Sequence, residues 1–179
     1  MAYNQQNFNR GGGDFRPESE FTESVIQVNR VSKKTKGGNQ IRFSVLVVVG
    51  DRKGKVGVGL GKAPDVLSSI KKAVSYAKNH FVEVPLKGTT IPYEVYLKYG
   101  AAKILMKPAP TGSGIIAGGP VRSVLDAAGV KDVVAKMLGS NNKITNVYAV
   151  IEALKKLRSL SEKKAVTKAE PTKGGKKND

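Results

Sequence analysis

The 179-residue sequence has no cysteine, no tryptophan, a single histidine and few aromatic residues. Without thiols there are no disulfides, no thiolate metal sites and no cysteine nucleophile, and a reducing compartment fits. His80 falls near the end of a predicted helix, where a protonated ring would simply suit the helix dipole. No acidic pair stands in a motif context either, so general acid–base chemistry has little to work with. We therefore expect no enzyme, no cofactor and no metal. Long apolar runs are also missing. Nothing approaches the roughly 18 residues of a membrane span, and MAYNQQNFNRGGGDF at the N-terminus has no apolar signal core, which predicts a soluble, intracellular, cytoplasmic protein. Acidic residues are scarce: 14 stand against 31 Lys and Arg, for a net charge of +17. So large an excess points to a polyanionic partner, with nucleic acid ahead of an acidic membrane surface.

What is present is apolar sequence enough, at 40%, for one or two small cores. Residues 1–20 are rich in Asn, Gln and Gly, and residues 159–179 in Lys; both are predicted to be disordered tails. Most of the charge lies between them, +9 over residues 21–87 and +6 over residues 88–158, which are the two predicted domains.

The first domain reads as β-β-β-α. SVIQVNRVS, IRFSVLVVVG and KVGVGLG are strand-like, and the short connections KKTKGGNQ and DRKG predict antiparallel hairpins. A helix follows in PDVLSSIKKAVSYAKNHF, with Val66, Ile70, Val74, Ala77 and Phe81 on one face. The order resembles double-stranded RNA-binding domains. The helix, however, opens with Asp65 and holds Lys71, Lys72 and Lys78 only further along, which argues against binding a regular duplex. GKVGVGLGKA lacks the spacing of a Walker loop or a dinucleotide turn, and its glycines recur with a strand's period of two. On this pattern Val56, Val58 and Leu60 face the helix while Gly57, Gly59 and Gly61 present bare backbone on the outer face. Two explanations stand level for those glycines: close approach of a large ligand, or an edge strand that needs glycine for its own twist. Flanking charges favour the ligand. Lys33, Lys34 and Lys36 in the first loop, Arg52, Lys53 and Lys55 in the second, and Lys62 beside the strand predict a phosphate-binding surface for RNA.

The second domain reads as β-β-α-β-α. Tyr93, Val95 and Leu97 alternate in a first hairpin; Val121, Val124, Leu125 and Ala128 mark a helix; DVVAKML is a strand; and Val147, Val150, Ile151, Leu154 and Leu157 mark the last helix. Gly112, Gly114 and Ala117 match G-x-G-x-x-[GA], but KPAP separates them from a strand and no acidic residue ends a second strand about twenty residues on. A nucleotide-dependent enzyme built on this turn is the main alternative, and a free duplex-RNA-binding regulator is another.

VNRVSKKTKGG, VVVGDRKGKVGVGLGKA, KILMKPAPTGSGIIAGGPVRSVLDAAGV and AKMLGSNN together resemble the bacterial-type fifth small-subunit ribosomal protein family, over about residues 21–158. The resemblance implies an α+β protein: an N-terminal three-stranded antiparallel sheet with one helix, like a double-stranded RNA-binding fold lacking its first helix, then an α/β domain with a βαβ unit of left-handed crossover. It implies binding to 16S rRNA where the head of the small subunit meets its body. It also implies contacts with the fourth and eighth small-subunit proteins, nearness to mRNA where it enters its channel, and an influence on decoding accuracy. By motif, the loop of Ser32, Lys33, Lys36, Gly37 and Gly38 is similar to the family's extended loop that reaches head RNA, near the spectinomycin site. Gly114 and Arg122 fall in the segment that faces the fourth protein.

Overall fold

A computed structural model describes residues 21–169. The first sheet has the order β1-β2-β3-β4, built from β1 (Thr22–Thr35), β2 (Gly38–Gly50), β3 (Lys55–Ala63) and β4 (Phe81–Glu83), with every neighbour antiparallel. Helix α1 (Val66–Asn79) connects β3 to β4. It starts on Asp65, whose carboxylate accepts from the backbone N–H groups of Leu67 and Ser68. The sequence reading had three strands here; the fourth has three residues with only Val82 buried, too short to show a period.

The second sheet has the order β5-β6-β8-β7, with β5 (Val95–Tyr99), β6 (Ala102–Pro108), β7 (Ile115–Ile116) and β8 (Val133–Gly139). Strands β7 and β8 are parallel and joined through α2 (Gly119–Ala128), which makes the expected βαβ unit. Helix α2 enters through Pro120 and ends on Gly129, whose left-handed φ of 85° suits glycine. Helix α3 (Lys143–Ala169) buries Val147, Val150, Ile151, Leu154 and Leu157, as its spacing predicts. It runs on through residues 159–169, which the sequence reading gave to the tail. Lys, Glu and Ala are good helix formers, and no proline or glycine interrupts them before Pro171, so a helix continues there without an apolar stripe. The predicted tails at 1–20 and 170–179 lie outside the described residues.

Strand β2 is covered on both faces. Val45, Val47 and Val49 pack against Ala73, Val74 and Ala77 of α1. Leu46 and Val48, with Val56 and Val58 of β3, join a larger core with α2, β8 and α3. That explains a run of seven consecutive buried residues, Ser44 to Gly50, where a one-sided strand would alternate.

The same geometry overturns the reading of the glycine strand. Gly57, Gly59 and Gly61 pair with Val49, Val47 and Val45, so they lie on the α1 face, and all three are buried. A Cβ on them would run into the backbone carbonyl oxygens of Ala77, Ala73 and Ser69 respectively. Val56 and Val58 point away from α1, into the core shared with the second half. The glycines are there because α1 lies unusually close to the sheet, with its small residues Ser69, Ala73 and Ala77 at i, i+4 and i+8. Ser69 Oγ donates across this seam to the Phe43 carbonyl at 3.0 Å or to the Asp65 carbonyl at 2.8 Å.

Candidate nucleic-acid interface

Strand β3 pairs with β2 only up to Phe43 and Ala63, whereas β1 and β2 continue to Thr35 and Gly38. Residues 31–42 therefore form a two-stranded arm, about 20 Å long at ~3.3 Å per residue. What the sequence suggested as a loop of eight residues is mostly ladder: Lys33 pairs with Gln40, Lys34 with Asn39 and Thr35 with Gly38, leaving Lys36 and Gly37 as the turn. Gly38 has a φ of 125°, and Thr35 Oγ1 donates to its carbonyl at 2.7 Å. Every residue of the arm is exposed.

Because cross-strand partners share a face, the register sorts the arm's charges. Lys33 and Arg42 lie on the side away from α1, in line with Lys62 at the arm's base. Arg30, Ser32 and Lys34 lie on the α1 side, and Lys36 sits at the tip. No carboxylate occurs between Ser24 and Gly50. Arg30 and Arg42 escaped the sequence reading, because a lone arginine inside a strand carries no local signal; only the register places them with the lysines.

Arg52, Lys53 and Lys55 do not join this group. They lie at the other end of β2, about 40 Å from the tip along the strand. Arg52 instead anchors the β2–β3 turn to α2. Its backbone N–H donates to the Ala127 carbonyl at 3.1 Å, its guanidinium is 3.7 Å from Asp126, and Gly54 N–H donates to Ala128 at 3.0 Å. Asp51 holds the same turn by accepting from the N–H groups of Lys53 and Lys55. Gly57, Gly59 and Gly61, buried under α1, offer no surface to a ligand.

In the second half, the N–H groups of Gly112 and Gly114 both donate to Asp132 Oδ1 at 3.0 Å. Asp132 is only 4% exposed, and its neighbour Thr89 also holds it. The side-chain hydrogen bond from Thr89, aided by those from Gly114 and Gly112 and by nearby Lys131, keeps its carboxyl below the ordinary aspartate range against the opposing effect of burial. A glycine loop that resembles a dinucleotide turn thus already has its anion, supplied by its own chain. Arg122 is exposed in the first turn of α2, and Gly114, with φ 71°, lies just before β7. His80 caps the C-terminal end of α1, with Nδ1 2.9 Å from the Tyr76 carbonyl and its ring stacked on Tyr76. Among the described residues no group of His, Asp or Glu is placed to hold a metal ion. No helix there is long and apolar enough to cross a membrane.

Comparison with known protein families matches residues 21–85 to the N-terminal domain of ribosomal protein S5 and residues 97–167 to its C-terminal domain. The two matches follow the two sheets in order and cover most of the chain. With its basic arm, its occupied glycine loop and both domain matches, the chain belongs to the ribosomal protein S5 family, whose members are non-enzymatic, structural, RNA-binding components of the small ribosomal subunit.

Proposed function

We propose that this chain is a cytoplasmic structural constituent of the small ribosomal subunit that binds 16S rRNA at the head–body junction through the β1–β2 arm. The arm itself carries the proposal. It projects beyond the sheet, bears Lys33, Lys34, Lys36 and Arg42 with Arg30 at its base, and has no carboxylate to offset them. Cations on both faces of a narrow ribbon suit insertion between RNA segments better than docking on one flat surface, and they position phosphates rather than read bases. The family resemblance adds the fourth and eighth small-subunit proteins as partners, with Gly114 and Arg122 toward the fourth. It also adds mRNA at the mouth of its channel, a part in decoding accuracy, the likeness of the first domain to double-stranded RNA-binding folds and a left-handed β7–α2–β8 connection. Arg122 supports the fourth-protein contact physically. A cation in the first turn of a helix opposes the dipole, and a partner's carboxylate would offset that.

The test is sedimentation of the tagged full-length chain through a gradient of cell extract. Co-migration with small subunits is expected, with loss of most of it when Lys33, Lys34 and Lys36 are all changed to Ala. A chain that stays at the top of the gradient overturns the proposal.

A further inference from the structure

Helices α2 and α3 cover one face of the second sheet, burying Val95, Ile104, Met106, Val133 and Ala135. The opposite face has no covering element among the described residues. It holds Tyr96, Leu105, Ile116, Val134 and Leu138 with Lys98, Lys103, Lys107 and Lys136, as the period of two requires. Ile116 is 54% and Tyr96 52% exposed, well above what an apolar side chain in a packed sheet shows.

The register turns this set into a pattern. Ile116 lies beside Val134, and Leu105 beside Tyr96. Val134 and Leu105 are diagonal neighbours on β8 and β6, because Val134 pairs with Lys107 and Lys136 with Leu105. An apolar stripe therefore crosses all four strands. Lys107 borders it on one side and Lys136, Lys103 and Lys98 on the other, with Leu138 beside Lys103. A carboxylate, Glu94, lies 3.2 Å from Lys107 at the margin of the stripe.

We propose that this face docks a partner protein that presents an apolar ridge bordered by carboxylates. An apolar centre with a charged rim is the anatomy of a protein interface, and lysines on both borders select acidic flanks. RNA fits less well. Bases stack on flat rings, of which the stripe has only Tyr96, and phosphates laid on aliphatic carbon would lose water without gaining a partner. This deepens the partner-protein part of the function proposed above by naming a surface and its complement.

Photocrosslinking in living cells tests it, with benzoylphenylalanine replacing Val134 or Leu138 in the full-length chain and, in a separate strain, Gly37 at the arm's tip. The expected result at positions 134 and 138 is one nuclease-resistant adduct whose peptide carries apolar residues bordered by Asp or Glu. Its yield should fall several-fold in the Lys103→Glu, Lys136→Glu background, at unchanged thermal stability, and persist with Arg at both positions. A nuclease-sensitive adduct, no adduct, or one indifferent to the charge reversal overturns the docking proposal. The Gly37 strain reports on the functional reading separately, since a missing RNA adduct there counts against the rRNA-binding arm and leaves the sheet face to be judged on its own adducts.

Discussion

Gly59 shows how one residue's role depends on which way a strand faces. From the sequence it offers bare backbone to a ligand; in the fold it lets α1 settle onto β3 with the Ala73 carbonyl where a Cβ would stand. Gly59→Ala should therefore destabilise the protein by about 1–3 kcal/mol or more, as overpacking does in rigid interiors. Gly37→Ala, with open space around it and no positive φ, should change stability by less than about 0.5 kcal/mol. Chemical denaturation of both variants checks the contrast; equal stability would return the glycine strand to the surface. Asp132 makes a second prediction at this scale. Its folded pKa is depressed, so its contribution is complete above the ordinary aspartate value and is lost as pH falls through the lower, folded one. Asp132→Ala should lower the melting temperature at neutral pH and flatten its decline below about pH 4, where the wild type loses this same contribution. Parallel acid titration curves for the two proteins would refute that role.

The arm is the element whose function is most separable from folding. Residues 31–42 contribute nothing to either buried cluster, so replacing Lys33, Lys34 and Lys36 with Ala should leave the melting temperature within a degree or two. RNA affinity should respond instead. Each phosphate contact contributes about 0.7–0.9 to the slope of log affinity against log salt, so the triple substitution should reduce that slope by roughly 2 to 3. The same substitutions at Arg52, Lys53 and Lys55 belong to a different element, at the far end of β2, and should disturb the turn's attachment to α2 more than the slope. Filter binding to 16S rRNA over a salt series distinguishes the two triads. Helix α1 is a second informative element. Of its expected apolar face, Val74 and Ala77 are buried, Val66 and Ile70 only partly so, and Phe81 falls in β4; Ser69 and Ala73 complete the buried side, because contact with glycines rewards small side chains over large ones.

Across the whole molecule the two sheets do not make two independent cores. Leu46, Val48, Val56 and Val58 of the first half share one buried cluster with Val124, Leu125, Leu154 and Leu157 of the second, and Arg158 of α3 reaches Glu83 of β4 at 3.1 Å. Unfolding should accordingly be a single cooperative transition with coincident helix and core signals. A fragment ending at residue 87 would expose those four side chains, each worth about 1.5–3 kcal/mol when buried, and should not fold alone. Two resolved transitions in calorimetry, or a folded fragment, would count against the shared core.

Composition and periodicity by themselves determined the strongly basic charge that points to a polyanionic partner, the types of the longer elements, and the buried faces of α2 and α3. Those are local properties, written in charge and in spacings of two and 3.6. The apolar run of β2 is buried on both faces only because the fold lays α1 on one side of it and the second half of the chain on the other. Tertiary structure alone decided which way the glycine strand faces, since a period of two is unchanged when every side chain is turned to the opposite side. That the two lysine-rich turns lie at opposite ends of β2, by contrast, already follows from the hairpin order, since each turn leaves a different end of the same strand. Short β4 and β7 appeared only with their partners, because two or three residues carry no period. And Asp132, twenty residues from Gly112, becomes the anion of the glycine loop only once β8 has been laid beside β7.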